Sequence, residues 1–508
     1  MENLIHRVNV GDMLTRSAAA RPGHAAVVDG DRRWTYGEFN AWVNRLARGL
    51  AARGYTRGDA LGLASANSAE FLAVYFACAK LGVVCVPVNL GWRPEEVAYV
   101  LGHSQSRGLV VESALLEAMQ PAVTATPAVR DVFLAESLRE VEARDDSEPE
   151  AHVEDRDAIT YLYTSGTTSF PKGVVGSHLG VYLESMQAAL DCGWNAADRF
   201  VAMMPMFHTA QLNAFCTPAV LVGATIHVHR GFDPVRLLDT IEREGITQIF
   251  GLPMMYRAML EHPSFGSRNL STLRRAVYAM APMPDALIRA CLEGFRCDFA
   301  LLFGQTEMSP VTTFFRPEHQ LTHIGAVGTP LTGVHVAIMG PDGALLPQGE
   351  SGEIVYRGPS TMNEYLRNPE ATAEAFAHGW FHSGDVGHFD ADGVLWFSDR
   401  YKDVIKTGGE NVASIEVEKA VYAASPAVAE AVVVGLPHER WTEAITAVVV
   451  PKPGETVDPE ELRVAMKAHL DGYKVPKAVL VVDELPKTST GKIQKNKVRE
   501  TFAKHYES

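Results

Sequence analysis

Apolar positions in the first two thirds of the chain alternate between helical and strand-like spacing. Residues 35–38 (Thr-Tyr-Gly-Glu) have the pattern of a capping box, in which a threonine and a glutamate satisfy the first free amides of a helix. The apolar residues that follow are spaced three or four positions apart, which predicts an amphipathic helix. These residues are Phe39, Trp42, Val43, Leu46 and Leu50.

Short apolar runs between the helical segments predict buried strands. They cover residues 61–64, 83–87 and 247–250. One helix is expected to begin near Ser68. Another should begin at Asp233 and Pro234, where an N-cap residue precedes a proline in the first turn. Strands that alternate with helices favour α/β layers with parallel strands.

The pattern changes twice in the last third of the chain. From Val334 onward, short strand-like segments are separated by Gly and Asp turns, which favours a β-rich subdomain. After Arg400 the segments predict a small α+β unit. We therefore expect an α/β protein with an N-terminal domain over residues 1–400, made of layered α/β subdomains and the β-rich subdomain, and a C-terminal domain over residues 401–508.

Composition and charge narrow the class of protein. The 508 residues carry a formal charge of −15, from 46 Lys and Arg against 61 Asp and Glu, which argues against a broad surface for nucleic acid or anionic membranes. Residues 71–90 are apolar but contain Lys80 and Gly82, so we expect a helix, a turn and a strand rather than a membrane span. Six scattered cysteines predict reduced thiols. With no apolar signal segment at its start, the chain is expected to be cytoplasmic.

Candidate chemistry begins at residues 163–174, Tyr-Thr-Ser-Gly-Thr-Thr-Ser-Phe-Pro-Lys-Gly-Val. Such a loop offers backbone amides, hydroxyl groups and the Lys172 ammonium to an anion, as a polyphosphate requires. The GxxxxGK[ST] spacing of the Walker loop is absent. Taken alone, the segment could also be a Ser/Thr/Gly-rich surface loop.

The order of residues in this loop closely resembles the YTSGTTGxPKG signature of the adenylate-forming superfamily. That superfamily contains acyl-CoA synthetases, luciferases and the adenylation domains of peptide synthetases. Ser169 stands where the signature has glycine. The resemblance implies that the loop binds ATP through Thr164, Ser165, Gly166, Thr167, Thr168 and Lys172.

Further motifs follow in the family order. Residues 205–208 (Pro-Met-Phe-His) resemble the segment that walls the acyl pocket, which gives His208 that role. An isolated His in an apolar segment is more often a packed core residue. Residues 303–307 (Phe-Gly-Gln-Thr-Glu) resemble YGxTE. By that match Phe303, Gly304 and Gln305 border the nucleotide, Thr306 contacts the α-phosphate, and Glu307 helps to hold Mg²⁺, for which a carboxylate is a suitable hard ligand.

Motifs near the C-terminus complete the resemblance. Asp385 closes a segment whose acid binds the ribose hydroxyls in relatives, and residues 399–403 (Asp-Arg-Tyr-Lys-Asp) resemble the hinge motif. The match assigns Arg400 to the ribose and Lys402 to the hinge. It places Asn411 near the adenylate and assigns the CoA channel to Lys406, Gly408 and Gly409. Lys492 matches the catalytic lysine, which neutralises charge between carboxylate and α-phosphate.

The resemblance implies an AMP-forming acyl-CoA synthetase that uses ATP, Mg²⁺ and coenzyme A. A small-molecule carboxylic acid is activated as acyl-AMP and then transferred to the CoA thiol, and a mobile C-terminal domain rotates about Lys402 between the two steps. No nucleic acid or stable membrane insertion is expected. The resemblance leaves a homodimer open.

The expected acyl pocket is apolar. Its walls are taken to include His208, Phe250, Gly251, Ala279, Met280 and Met308. No cation lies clearly in these walls, and Arg316 is the nearest candidate, so a bulky apolar acid (aromatic, fatty or terpenoid) is expected. Met280 and Thr442 join Ser169 as substitutions at positions where relatives often have glycine.

Three other functions stay open at this point. An amino-acid adenylation domain would load a carrier protein, but residues 203–207 lack the acid that pairs with a substrate amine, and no carrier domain is expected. A luciferase-like monooxygenase shares the adenylation motifs. A non-catalytic adenylate-binding protein is disfavoured by the presence of Lys492, Glu307 and Asp385.

Overall fold

A computed structural model describes residues 4–164, 171–280, 283–488 and 493–506. The chain forms two compact units. The first contains Met1–Val336 and Tyr356–Phe381, and the second contains Ala337–Val355 and His382–Ser508. The two units are defined by compactness and do not test the domain boundary expected near residue 400. That boundary stays a prediction.

The first unit is built on two sheets with helices between their strands. Its strands are β1 (Ala25–Asp29), β2 (Arg32–Thr35), β3 (Ala60–Ala64), β4 (Val84–Pro87), β5 (Ser106–Val111), β6 (Asp131–Leu134), β7 (Ala158–Thr164), β8 (Lys172–Ser177), β9 (Arg199–Ala202), β10 (Thr225–Val228), β11 (Gln248–Gly251), β12 (Arg275–Tyr278), β13 (Asp298–Gly304), β14 (Val311–Phe315) and β15 (Thr329–Pro330). Its helices are α1 (Gly11–Ala20), α2 (Tyr36–Ala52), α3 (Ala69–Leu81), α4 (Pro94–His103), α5 (Ser113–Ala125), α6 (His178–Cys192), α7 (Thr209–Gln211), α8 (Thr217–Val222), α9 (Pro234–Glu244), α10 (Pro253–Leu260), α11 (Asp285–Phe295) and α12 (Pro369–Ala375).

Both sheets are mainly parallel. The six-stranded sheet has the order β6-β5-β3-β4-β7-β8, and only the β7–β8 pair is antiparallel. The nine-stranded sheet has the order β15-β14-β13-β12-β11-β9-β10-β1-β2. Its run from β13 to β1 is parallel, and its outer strands are antiparallel. The predicted α/β fold with parallel strands is confirmed.

Local signals set the helix boundaries as predicted. Thr35 and Glu38 form the capping box of α2, with the Thr35 amide 2.8 Å from the Glu38 carboxylate. Ser68 caps α3 through its side chain. Gly82 ends α3 in the left-handed conformation, after which the chain enters β4. Residues 71–90 therefore form a helix, a turn and a strand, and no helix among the described residues is long and apolar enough to cross a membrane.

Parallel pairing gives the first unit a common edge at which several chain segments emerge. Strands β13, β12, β11 and β9 are consecutive neighbours and all point the same way. The segments that follow them leave the sheet at its carboxyl edge. In open α/β sheets this edge is where ligands bind.

The second unit contains most of a four-stranded sheet and a separate five-stranded sheet. The first has the order β16 (His335–Met339), β17 (Gly352–Arg357), β18 (Phe381–Phe389) and β19 (Leu395–Arg400). The other contains β20 (Ile405–Thr407), β21 (Glu410–Val412), β22 (Val428–His438), β23 (Thr442–Pro451) and β24 (Ala478–Val481). Helices α13 (Ser414–Ala424), α14 (Pro459–Ala465) and α15 (Lys495–Phe502) complete the unit. Helix α14 is followed directly by a 3₁₀ turn at Met466–Ala468.

A buried polar network joins β19 to two helices of the second unit. The Asp399 carboxylate, 1% exposed, accepts hydrogen bonds from the amide and hydroxyl of Ser414, both at 2.6 Å. Lys495 donates to the same hydroxyl and pairs with Glu418 at 2.9 Å. The network gives the buried carboxylate hydrogen-bond partners. Burying it without partners would cost folding free energy.

All six cysteines are free thiols, as predicted. Five are buried and Cys297 is partly buried. Burial raises the pKa of Cys192, Cys216 and Cys291 to about 12, so these thiols stay protonated at neutral pH.

Thr442, one of the residues at a usual glycine position, has φ +68°. A β-branched residue in the left-handed region is strained, and glycine avoids this strain. We predict that Thr442→Gly raises the free energy of unfolding of the second unit by about 1 kcal/mol, since relief of strain exceeds the entropy that glycine loses. Urea unfolding followed by tryptophan fluorescence measures the change. Thr442→Ala, which keeps Cβ, should gain less, and a glycine variant below wild type in stability would contradict the prediction.

Candidate active site

The hairpin of β7 and β8 carries the ends of the phosphate-loop motif. Thr164 and Lys172 are paired across it. The Lys172 ammonium lies 4.9 Å from the centre of the Tyr365 ring, within the range of a cation–π contact. Ser165, Gly166, Thr167, Thr168 and Ser169 lie outside the described residues.

Glu307 lies on a short 3₁₀ turn, Thr306–Met308, between β13 and β14. The turn is tight, because a Cβ at Gly304 would lie 2.0 Å from the carbonyl oxygen of Pro310. The Gln305 amide donates to that same oxygen at 2.9 Å. Phe303 and Gly304 are the last residues of β13, so the motif follows the carboxyl end of a parallel strand as a ligand-binding turn should.

Tyr365 brings the two motifs together. Its hydroxyl donates to Glu307 Oε1 at 2.8 Å, while its ring faces the Lys172 ammonium. The amide of Met362 also donates to the Glu307 carbonyl at 2.6 Å. A carboxylate and an ammonium held around one ring can serve a metal–phosphate group, since the carboxylate is a hard oxygen ligand and the ammonium attracts phosphate.

His208 lies just before the short helix α7, in the segment that follows β9. Burial desolvates the imidazole, which lowers the pKa of His208 to about 4. The imidazole is therefore neutral at physiological pH. It can border an apolar group or share a hydrogen bond, but it cannot supply a cation to an acidic substituent.

The other residues expected in the acyl pocket also lie at or near the carboxyl edge. Phe250 is 1% exposed and stacks on Phe215, with ring centres 4.5 Å apart. Gly251 ends β11, and a Cβ there would lie 3.2 Å from the Met203 methyl group. Ala279 follows β12, and Met308 is fully buried. Their role as pocket walls stays a prediction.

Met280 has an unusual backbone at this edge. Its φ is +67°, and its side chain is 39% exposed. The left-handed backbone is consistent with the glycine that the resemblance implies at this position, since glycine enters this region without strain. The chain instead keeps a flexible thioether beside the expected site.

In the second unit, Asp385 and Arg400 form the pair expected to bind ribose. They are register partners on β18 and β19, and the Arg400 Nε lies 3.1 Å from Asp385 Oδ1. Asp385 is 4% exposed, and its amide donates to the Ser383 hydroxyl at 2.9 Å. The carboxylate therefore has Arg400 as a charged partner within the strand pair.

Lys402, the expected hinge, lies in an exposed turn between β19 and β20. The amides of Asp403 and Val404 both donate to the Arg400 carbonyl, which forms the turn. Arg499 of α15 pairs with Asp403 at 2.8 Å. The Lys402 side chain itself makes no hydrogen bond or ion pair with the described residues.

The expected CoA segment packs against Trp441. Gly408 has φ +60°, its amide donates to the Trp441 carbonyl at 2.9 Å, and a Cβ on it would lie 3.1 Å from the indole. Arg440 and Lys477 lie over the indole at 4.5 and 4.9 Å. Lys406, Gly409 and Asn411 complete the β20–β21 hairpin, in which Lys406 and Asn411 are paired. Lys492 lies outside the described residues.

Comparison with known proteins decides the family. A model of the AMP-binding enzyme family matches residues 14–366, which is more than half of the chain, and a model of the AMP-binding enzyme C-terminal domain matches residues 416–492. The chain belongs to the AMP-binding enzyme family. The predicted membership in the adenylate-forming superfamily is therefore confirmed.

Several relatives align over nearly their full length. A feruloyl-CoA synthase from an Amycolatopsis species is 37% identical over 493 residues, 97% of this chain and 99% of that protein. The long-chain-fatty-acid–CoA ligase FadD13 from Mycobacterium tuberculosis is 34% identical over 504 residues, 97% of this chain and 99% of that protein. The structure of the anthranilate CoA ligase AuaEII in complex with anthranoyl-AMP has a TM-score of 0.90 and 27% identity, covering 99% of both chains.

These relatives confirm the predicted enzyme class. The chain is an AMP-forming carboxylate–CoA ligase, and ATP and CoA are the co-substrates of its family. The carrier-loading, monooxygenase and non-catalytic alternatives are not favoured.

Two features of the site escaped the sequence analysis. Tyr365 belongs to none of the motifs considered, and only the fold brings it to Glu307 and Lys172. No role was predicted for Trp441, although an indole beside two cations is a surface suited to a nucleotide. The signal that could have indicated it is the occurrence of Arg440 beside Trp441.

Tyr365→Phe separates the two contacts of Tyr365. The variant keeps the ring beside Lys172 and loses the hydrogen bond to Glu307. We predict that the Mg²⁺ concentration needed for half-maximal pyrophosphate release rises about fivefold, the equivalent of one hydrogen bond of about 1 kcal/mol.

A magnesium titration of pyrophosphate release at fixed ATP measures this change. Tyr161→Phe, at a partly buried tyrosine on β7, is the matched control and should leave the titration unchanged. An unchanged titration in Tyr365→Phe would show that the hydroxyl does not hold Glu307 for the metal.

Proposed function

We propose that this ligase activates a bulky apolar monocarboxylic acid, aromatic or fatty, and transfers it to coenzyme A. The observation that carries the proposal is the arrangement of Glu307 and Lys172 around Tyr365, in the same unit as the neutral His208. Metal–phosphate chemistry and an uncharged acyl site are the two requirements of such a reaction.

In the first half-reaction, a carboxylate oxygen of the acid attacks the α-phosphorus of ATP. An O–P bond forms, the bond to the β-phosphate oxygen breaks, and pyrophosphate leaves. Thr306 and Lys172 are proposed to bind phosphate oxygens, and Asp385 with Arg400 to bind the ribose hydroxyls. Glu307 would hold Mg²⁺, which neutralises charge on the phosphates.

In the second half-reaction, the CoA sulfur attacks the acyl carbonyl. A C–S bond forms, the bond to AMP breaks, and the thiol proton is released to solvent. The proposal that CoA binds in the second unit is supported by the side chains around Trp441. Arg440 and Lys477 place two cations around the Trp441 ring, directly beside Gly408. CoA carries a purine and several phosphates, which suit an indole and cations.

The acid class follows from the lack of charge in the expected walls. Phe250, Ala279 and Met308 are apolar, and the pKa of about 4 leaves His208 neutral. A second carboxylate on the substrate would be buried there without a partner, which is costly. Three of the relatives, a feruloyl-CoA synthase, a long-chain-fatty-acid–CoA ligase and an anthranilate CoA ligase, are named for acids that carry a single carboxylate.

The two half-reactions place different demands on the chain. The first needs Lys492 beside two anions, and the second needs an open approach for a thiol. We propose that residues 401–508 move about Lys402 between them, as the resemblance implied. Cytoplasmic location and a homodimer are retained as proposals from the sequence.

A panel of carboxylic acids tests the proposed substrate class. Incubation with ATP, Mg²⁺ and CoA, read by mass spectrometry, should give thioesters of hydroxycinnamic, benzoic or fatty acids and little thioester of malonate or succinate. A parallel arm with a phosphopantetheinylated carrier protein in place of CoA is expected to stay unloaded. Thioesters of dicarboxylic acids alone, or AMP release without thioester, would contradict the proposal.

Two variants test the proposed change between half-reactions. Lys402→Pro should keep pyrophosphate release and lose thioester formation, because proline restricts rotation at the hinge. Lys492→Ala should do the opposite, losing adenylation while still transferring a supplied acyl-adenylate to CoA. Lys497→Ala, at an exposed lysine of α15, is the control and should affect neither step. Equal loss of both steps in Lys402→Pro would contradict its role as the hinge.

A further inference from the structure

Asn67 lies where the chain passes from β3 to α3, and its side chain is fully engaged with the backbone. The side chain is buried, and the residue is 3% exposed. Its Nδ2 donates to the carbonyls of Met204 at 2.8 Å, His229 at 3.0 Å and Ala202 at 3.3 Å. Its Oδ1 accepts from the amide of Met206 at 2.8 Å. One side chain therefore bonds four backbone groups that lie far away in the sequence.

The Ala202 carbonyl also accepts from the His229 amide at 2.9 Å, whereas the groups of Met204 and Met206 lie beyond the end of the strand. Residues 203–206 have left β9, yet Met203, Met204 and Met206 are almost completely buried. Buried carbonyls and amides without partners are costly, so a side chain must satisfy them. Asn67 does so on both sides of Pro205. Gln211, 1% exposed, adds a second constraint by accepting from the Met204 amide at 3.1 Å.

The segment held in this way leads directly to His208. Met206 is only two residues before His208, and the His208 amide donates to the Pro205 carbonyl at 3.1 Å. Asn67 also reaches His229, which follows β10, so it joins the ends of β9 and β10 to the end of the other sheet. The position of the His208 wall is thus fixed from outside the segment.

We propose that Asn67, supported by Gln211, is a positioning residue that sets the acyl-binding wall at Phe207 and His208 and thereby the affinity for the carboxylic acid. The inference rests on the proposed function, because it takes this segment as a wall of the acyl site. Asn67 does not touch the reacting atoms. It acts through the Met203–Met206 backbone.

The test compares the kinetics of Asn67→Ala with wild type, using an acid from the panel that the wild type accepts. The KM for the acid should rise roughly tenfold, as expected for several lost buried hydrogen bonds, while the KM values for ATP and CoA change less than twofold. The order of preference among the acids should also change. In a His208→Ala background, Asn67→Ala should have little further effect on the acid KM, because the wall is already altered.

Asn9→Ala is the matched control. Asn9 is fully buried in the same unit, donates to the Ala79 carbonyl at 2.9 Å and accepts from the Gly11 amide at 2.6 Å. It should lower the Tm without changing the acid KM or the order of preference. If Asn67→Ala does not fold, Gln211→Met removes one bond from the same segment and decides the question by the same readouts.

The outcomes separate the inference from the proposed function. If the wild-type protein forms no acyl-adenylate from any acid, the proposed function is contradicted. An active wild type in which Asn67→Ala, or Gln211→Met in its place, changes all three KM values equally or leaves the acid KM unchanged would overturn the positioning role alone. Full additivity with His208→Ala would overturn it as well.

Discussion

The parallel pairing of β9, β11, β12 and β13 is the constraint on which the candidate site of the first unit depends. Because these strands point the same way, the segments that follow them emerge at one edge. His208, Gly251, Met280 and Glu307 are spread over about a hundred residues of sequence. Parallel pairing alone brings them to a common side of the sheet. Strand direction therefore decides which side chains can meet at the site.

Where strands end, their backbone needs new hydrogen-bond partners, and these partners shape the site. Gly304 allows the turn after β13 to close against the Pro310 carbonyl, which presents Glu307. The Asn67 side chain supplies hydrogen-bond partners to the backbone of the segment after β9. Tyr365 then links Glu307 to Lys172. Asn67 and Tyr365 both lie outside the motifs whose residues they satisfy or orient.

In the second unit, the main feature is how charged side chains are placed. Asp385 and Arg400 neutralise one another across a strand pair, and Asp399 is satisfied by Ser414. Arg440 and Lys477 instead stay near the surface, over an indole ring. Buried charges are paired, whereas exposed cations are available to an anionic ligand.

The sequence by itself determined the fold class, the main helices and strands, and the motifs of the family, because capping residues, apolar periodicity and turn residues act locally. It also identified Met280 and Thr442 as departures from glycine. Only the tertiary structure gave the reason, a positive φ at both positions, since backbone conformation there is imposed by distant packing. Tyr365 and Asn67 could not be found from the sequence for a related reason. Their partners lie far away along the chain, and only folding decides which distant groups meet.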